Sequence, residues 1–384
     1  MPQKLVRIGL VFGYGLAFYR AILNGVKAFA AERPHWILTP IAPDLRSLQS
    51  PLVGQQDGFI GHIFTRSLGV ALASLKRPVV NVSGVLPELP FPRVVVDHEA
   101  VGRLAAEHLL EQGLTSFGFV GYAPHEFSRG RERGFRRAVE GTGRTVAIFH
   151  DRGQRLSDPN GLWRWNPAML AWLKSLPLPA GVFASHDIQG VQLSEYCRQL
   201  ALRVPDDVAL VGADDDDLLC NLARPSLSSV ALPGERIGYE AAGMLEARLK
   251  RKRRIEQRTL PPVRLVVRPS SDIQSIPDPE VAQAVRYIRD HADQPLRVRD
   301  VLRAAPASRR SLERRFRRWL SRGVSEEIRR RHLERARTLL SESDLPMSRV
   351  AELSGFTDSR QLSIVFRQAT GQTPTAWRQQ FRSR

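Results

Sequence analysis

Near its C-terminal end the chain writes one helical plan twice, about fifty residues apart, and this limits the fold there to a pair of small helical units. In Met347 to Arg378 apolar residues recur at Val350, Ala351, Leu353, Phe356, Leu362, Val365 and Phe366, the spacing of two short helices packed across a tight turn. Gly355 is expected to take the left-handed conformation that ends the first helix, with Phe356 plugging the gap and Asp358 capping the second. The outer face of that second helix then carries Ser359, Arg360, Gln361, Ser363, Ile364 and Arg367. Upstream, Val298 to Ile328 repeats the pattern. Val298, Val301 and Leu302 form an apolar face, Ala304 to Ala307 break the helix, Ser308 caps the next, and Leu312 and Phe316 match Leu362 and Phe366. Arg309, Arg310, Glu313, Arg314 and Arg317 point outward from it. Arg331 to Leu340 reads as an amphipathic connecting helix, ended by Ser341 to Asp344 and Pro346.

Either hairpin alone could be a solvated surface feature; two joined by a helix are better read as helix-turn-helix units that lay their second helices in the major groove. Arg335 to Leu340, Gly355-Phe356, Phe366-Arg367, Gly371 to Pro374 and Trp377-Arg378 resemble the AraC/XylS family of bacterial transcription regulators from Val281 to Arg378. The resemblance implies double-stranded DNA as partner, with two reading helices about one helical turn (~34 Å) apart on one DNA face. The first unit departs from the pattern with Ala305-Pro306-Ala307 at the turn and with Glu313, which can accept from cytosine N4. Arg309, Arg310, Glu313, Arg314, Arg360, Gln361, Ser363, Ile364 and Arg367 are the expected DNA-facing residues.

Charge agrees with a polyanionic partner. The net charge is +18, and from Pro277 onward there are 23 Arg, no Lys and 13 acidic residues. A second basic run, Arg248 to Arg254, is either a solvated helix end or an added phosphate contact. Two cysteines, Cys197 and Cys220, give no disulfide framework and suit a reducing compartment. The N-terminal apolar run is too short for a signal or membrane segment, so the expected location is cytoplasmic.

The first two thirds alternate strands with helices. Strands are expected at Val6 to Phe12, Gly58 to Ile63, Pro78 to Val82, Arg93 to Val96, Ser116 to Val120, Thr145 to Phe149, Gly181 to Ala184, Val208 to Val211 and Ser228 to Val230. Helices are expected at Ala17 to Ala31, Glu99 to Gln112, Arg129 to Glu140, Pro167 to Ser175, Ile188 to Leu200 and Arg236 to Lys250. So many strands suit two doubly wound α/β lobes with a ligand cleft at strand C-termini. Val94 to Gly113, Ser128 to Phe135, Phe183 to Leu193, Val204 to Leu219 and Arg224 to Leu245 resemble the ligand-sensing domain of LacI/GalR regulators, itself related to periplasmic sugar-binding proteins. That resemblance implies Arg131 and Asp214 as sugar-hydroxyl partners and draws His186 and Asp187 into the site, His186 standing where the family often has Asn.

Other readings stay beside these. Arg131 could grip paired hydroxyls or neutralise a local acid. Four consecutive acids, Asp214 to Asp217, cannot all face one ion, and no His or Cys spacing marks a metal site. Trp163 and Trp165 could stack on a sugar ring or simply pack. Gly13-Tyr14-Gly15 hints at dinucleotide binding, but Phe18 occupies the third glycine position. The loop is better read as lining the cleft with Tyr14, Phe18, Tyr19 or Arg20. No catalytic motif is present, so an enzyme with a nucleotide cofactor has little support.

The expected plan is a periplasmic-binding-protein-like sensor at 4–268, a linker at 269–280 and an all-α DNA-binding domain at 281–384 with two helix-turn-helix units. A sensor of this kind ahead of an AraC-type reader is the arrangement of xylose-operon regulators in enteric bacteria, and the junction Pro261 to Ala292 resembles theirs. It implies a homodimeric, sugar-controlled activator that takes D-xylose ahead of other monosaccharides and works with RNA polymerase. The alternative is a sugar-binding module held to nucleic acid nonspecifically by its basic tail.

Overall fold

The computed structural model describes residues 5–13, 15–122, 125–151, 165–250, 257–273, 278–305, 307–320, 322–343 and 345–382. They divide into two compact units, Met1–Ile273 and Gln274–Arg384.

Among its described residues the first unit has twelve strands: β1 (Val6–Val11), β2 (Trp36–Ile41), β3 (Gly58–Gly61), β4 (Val79–Asn81), β5 (Arg93–Val96), β6 (Ser116–Tyr122), β7 (Val146–Asp151), β8 (Ala180–Ala184), β9 (Val208–Asp214), β10 (Ser228–Ala231), β11 (Gln257–Leu260) and β12 (Arg264–Val266). They form two sheets, β11-β5-β4-β3-β1-β2 and β12-β10-β9-β8-β6-β7. All pairings are parallel except β12 on β10. The chain passes between the lobes three times, at Asp97, at Leu232-Pro233 and between β11 and β12. The cleft therefore opens at the C-terminal ends of parallel strands from both sheets.

All nine expected strands form. The three that the apolar pattern missed, β2, β11 and β12, are all edge strands. Buried on at most one side, they need no continuous apolar run, and β2 even contains Pro40, which an edge tolerates. Helix Ala17–Ala31 buries Ile22, Val26 and Phe29, three residues at helical spacing. Two close helix crossings stiffen the lobes. A Cβ at Gly25 would lie 1.8 Å from the Glu235 carbonyl oxygen on helix Gly234–Leu249, and one at Gly134 would lie 1.9 Å from that of Glu99 on helix His98–Glu111.

The expected linker begins too early. Ser270 and Ser271 are buried: the Ser270 hydroxyl donates to the Leu210 carbonyl at 2.6 Å, and that of Ser271 to Ser228 at 2.7 Å. Polar composition suggested a connection, but these hydroxyls bond to groups of β9 and β10.

The second unit has seven helices among its described residues: Pro279–Asp290, Val298–Ala304, Arg309–Leu320, Val324–Glu342, Met347–Leu353, Ser359–Thr370 and Pro374–Arg382. Two cores are strung on one helix. Val324 and Ile328 pack with Val281, Val285, Ile288, Val301, Leu312 and Phe316, whereas Leu333, Ala336 and Leu340 pack with Val350, Ala351, Phe356, Leu362 and Phe366. The connector is longer than Arg331 to Leu340 because its first turns complete the first core. Gly355 has φ +76°, the left-handed conformation expected of it. Arg335 donates to the Leu353 carbonyl, Arg378 donates to that of Leu345 at 2.8 Å, and Trp377 meets Phe366 edge-on at 5.7 Å. Those signature residues fasten helices to one another.

Candidate functional site

In the first unit a cleft between the lobes is lined by Leu16, Phe18, Tyr19, His62, Gly84, Val85, Val96, His98, Phe127, Arg131, His186 and Asp214. Asp214 closes β9 with φ +112°, and Asp215 follows at +53°. Consecutive non-glycine residues at positive φ cost of order 1–3 kcal/mol each, and such strain gathers at binding sites. The strained turn sends the four acids in different directions. Asp214 faces the cleft, Asp215 pairs with Arg268 at 2.8 Å, Asp217 accepts from Asn221 at 2.8 Å, and Asp216 caps two helices. One of those caps spans the lobes, because Asp216 accepts from the Ala17 N–H at 3.0 Å.

Arg131 rises from helix Glu126–Glu140, held against its neighbour by the Gly102 and Gly134 contacts. It donates to Asp214 at 2.9 Å and to the Ser185 carbonyl. Its Nε has no hydrogen-bond partner among the described residues. His186, N-cap of helix Asp187–Gln199, accepts from the Ile188 N–H at 3.2 Å and places Nε2 2.8 Å from Asp214. Burial works against ionisation of both, but each outweighs that for the other: Asp214 raises the His186 pKa, while His186 and Arg131 lower that of Asp214. The cluster sets two cationic side chains, Arg131 and His186, on the single Asp214 carboxylate.

Asp187 is not a cleft residue. Fully buried, it accepts from Ser229 Oγ at 2.6 Å and from the Asp216 N–H at 2.9 Å, so it braces the strained turn from behind. Burial, then the Asp214 charge, push its pKa up to about 7. Phe18, Arg131, His186 and Asp214 line the cleft as expected; Tyr14 and Trp163 lie outside the described residues. Trp165 meets Tyr196 edge-on at 4.8 Å and does not line the cleft.

Sequence reasoning missed His62 and His98. Each follows a strand; His62 has no motif around it, and His98 lies within the Val94 to Gly113 stretch without a role assigned to it, so only the strand-end rule could have pointed to both. Burial depresses the His62 pKa to about 4; burial and then the Arg131 charge depress that of His98 to about 3. Both are neutral at physiological pH, and the Nδ1 of each is buried without a hydrogen-bond partner among the described residues. Tyr19 lies 4.7 Å from the His62 ring, and Phe127 6.0 Å from His98. Neutral imidazoles, a carboxylate shared by Arg131 and His186, and aromatic walls suit a small polyol. Among the described residues no group of His, Cys, Asp or Glu could hold a metal ion, and no helix is long and apolar enough to cross a membrane.

In the second unit, Arg309, Arg310, Arg314, Arg360, Gln361, Ser363, Ile364 and Arg367 are exposed on their helices. Glu313 is not free to read a base: half-buried, its carboxylate accepts from the Val324 N–H at 3.4 Å and lies over the start of the connector. Gln361 is also committed. Its Oε1 accepts from the Thr357 N–H at 2.9 Å and hydroxyl at 3.0 Å, while its N–H donates to Asp358 at 2.7 Å. Ser363 donates to the Ser359 carbonyl at 2.9 Å. A further residue, unforeseen, is Glu327, fully buried and accepting from Arg330 at 2.7 Å and Arg331 at 3.1 Å.

Residues 106–271 match a periplasmic binding protein-like domain, and residues 301–380 a helix-turn-helix domain. The xylose operon regulatory protein of Escherichia coli (strain K12) is 31% identical over 98% of each chain. That of Haemophilus influenzae is 27% identical over 98% of this chain and 99% of its own. A solved structure, described as a xylose-binding transcription activator, superposes with a TM-score of 0.78 at 28% identity, covering 99% of each chain.

Proposed function

The chain belongs to the family of xylose operon regulatory proteins, helix-turn-helix transcription regulators with a periplasmic-binding-protein-like sensor, and on that premise we propose that it is a cytoplasmic activator whose cleft takes D-xylose. The observation that carries the effector assignment is the buried Arg131–Asp214 pair, whose charges offset while Asp214 keeps acceptor sites and Arg131 Nε a spare donor. A sugar spends paired hydroxyls on that couple and on the neutral His62 and His98. It lays its apolar face on Phe18 or Phe127. An anion would have to lie against the Asp214 carboxylate, and a purine would leave that carboxylate poorly used.

Ligand bridging the two lobes favours one lobe arrangement over the other, and that preference is the free energy available to alter DNA binding. Asp216, bonded across the lobes to Ala17, belongs to the same turn as Asp214, so the ligand site and an interlobe contact share one backbone. The reading helices Arg309–Leu320 and Ser359–Thr370 contact an operator, and homodimerisation sets the spacing of two such sites.

A thermal-shift series of pentoses and hexoses tests the effector assignment. D-Xylose at one hundred times its Kd adds about 2.7 kcal/mol to apparent stability. Stabilisation by a purine or an anion, with none by any sugar, would overturn it.

A further inference from the structure

The two reading helices are register-matched through their inward residues, Leu312 and Phe316 in one and Leu362 and Phe366 in the other, all fully buried. This aligns Arg310, Arg314 and Arg317 with Arg360, Ile364 and Arg367. Each triplet runs i, i+4, i+7 along the outward stripe. The flanks agree and the centre differs: a guanidinium in the first unit, a branched aliphatic side chain in the second. Ile364 is 51% exposed between two arginines, on a face otherwise polar.

Its polar neighbours are spent on their own helix. Gln361 would have to give up the Thr357 contacts to offer an adenine both its carbonyl and its amide, and Ser363 is bonded back to Ser359. On this helix the free side chains along the stripe are Arg360, Ile364 and Arg367. In the major groove an aliphatic side chain has one distinctive partner, the C5-methyl group of thymine. We propose that Ile364 packs against a thymine methyl and thereby makes the second unit demand a T·A pair at one position, while its counterpart Arg314 in the first unit makes no such demand. This inference rests on the reading of the second unit as a sequence-specific DNA reader.

The test begins with a preferred operator selected from random duplex DNA by the full-length protein. Each thymine in it is then replaced singly by deoxyuridine, which removes the methyl group and leaves every hydrogen-bonding atom in place. At one thymine the wild-type protein should lose about fourfold in affinity, the worth of one buried methyl at ~0.8 kcal/mol. Ile364→Ala should bind the thymine operator more weakly and be indifferent to uracil at that position, with an unchanged thermal midpoint because the side chain is exposed. Arg314→Ala should keep the wild-type uracil sensitivity. If uracil is without effect at every thymine, or Ile364→Ala remains equally sensitive, the inference is overturned while the operator preference stands. A selection that returns no preferred sequence overturns the DNA-reading assignment, and this inference with it.

Discussion

Arg131 and Asp214 meet at 2.9 Å in the cleft of the first unit with side chains only 3% and 10% exposed, joining a helix to the end of a strand from 83 residues away. Two buried charges in one contact cannot be altered singly without cost. Asp214→Ala should lower the stability of the sensor by about 3–5 kcal/mol, because it leaves a buried guanidinium uncompensated. Asp214→Asn keeps the shape and one acceptor oxygen; it should lose sugar-induced stabilisation in calorimetry while still binding the selected operator. Undiminished sugar binding by Asp214→Asn would remove the pair from the effector site.

Acid should destabilise the sensor below about pH 6.5, with a sign set by His62 and His98. Unfolded His62 and His98 protonate near pH 6.5, but their folded pKa values are about 4 and about 3, so the unfolded state holds the extra protons and stability falls with pH. Asp187 has the opposite sign: with a folded pKa of about 7, the native state holds its proton from about pH 7 down to about pH 4. Two against one leaves these groups losing ~1.4 kcal/mol per pH unit between about pH 6.5 and pH 4.5. Denaturant titrations at stepped pH should show this slope reduced by two protons in the His62→Gln/His98→Gln variant. An unaltered slope would mean that neither ring is held neutral.

Gly134→Ala should weaken sugar binding without touching the cleft. Its Cβ would fall 1.9 Å from the backbone oxygen of Glu99, so the helix carrying Arg131 must shift, at about 1–3 kcal/mol. Calorimetry should show weaker D-xylose binding, and conservative surface changes on the same helix, such as Arg136→Lys, should not.

In the reader, Arg310→Ala or Arg360→Ala should cost about 1–3 kcal/mol of specific binding and relax preference at particular base pairs. Glu313→Ala should leave base preference unchanged, since its carboxylate serves the Val324 N–H. Glu327→Ala, which removes the buried carboxylate shared by Arg330 and Arg331 but leaves both paired with Glu334, should destabilise the C-terminal unit by about 1–3 kcal/mol in calorimetry of the full chain. A new base preference in Glu313→Ala would return that residue to the DNA face.

Legibility followed how strongly each feature constrains the local chain. The buried strands, Gly355 and the Asp358 cap were plain because apolar period, left-handed backbone and capping leave few alternatives at those positions. Three of the four edge strands, β2, β11 and β12, were silent, having no buried second face to fill, and only β7 was legible. The roles of Asp187, Glu313 and Gln361 could not be read, because a polar side chain that faces a ligand and one that satisfies a nearby N–H have the same sequence signature. Asp214 to Asp217 show this most clearly: four identical residues, and only one turned toward the cleft. His62 carried no motif, and His98 stood inside one that assigned it no role. Their significance comes from two strand ends that the fold brings to one cleft.

On the proposed function, a sugar in the sensor governs operator binding by the reader. Fluorescence anisotropy of the full-length protein on its selected operator, titrated with and without saturating D-xylose, measures that coupling directly. Operator affinity should change with D-xylose by about 5–150-fold, equivalent to about 1–3 kcal/mol, and Asp214→Asn should abolish that change without altering sugar-free binding. Identical operator affinity in the presence and absence of D-xylose, with the sugar demonstrably bound, would contradict it.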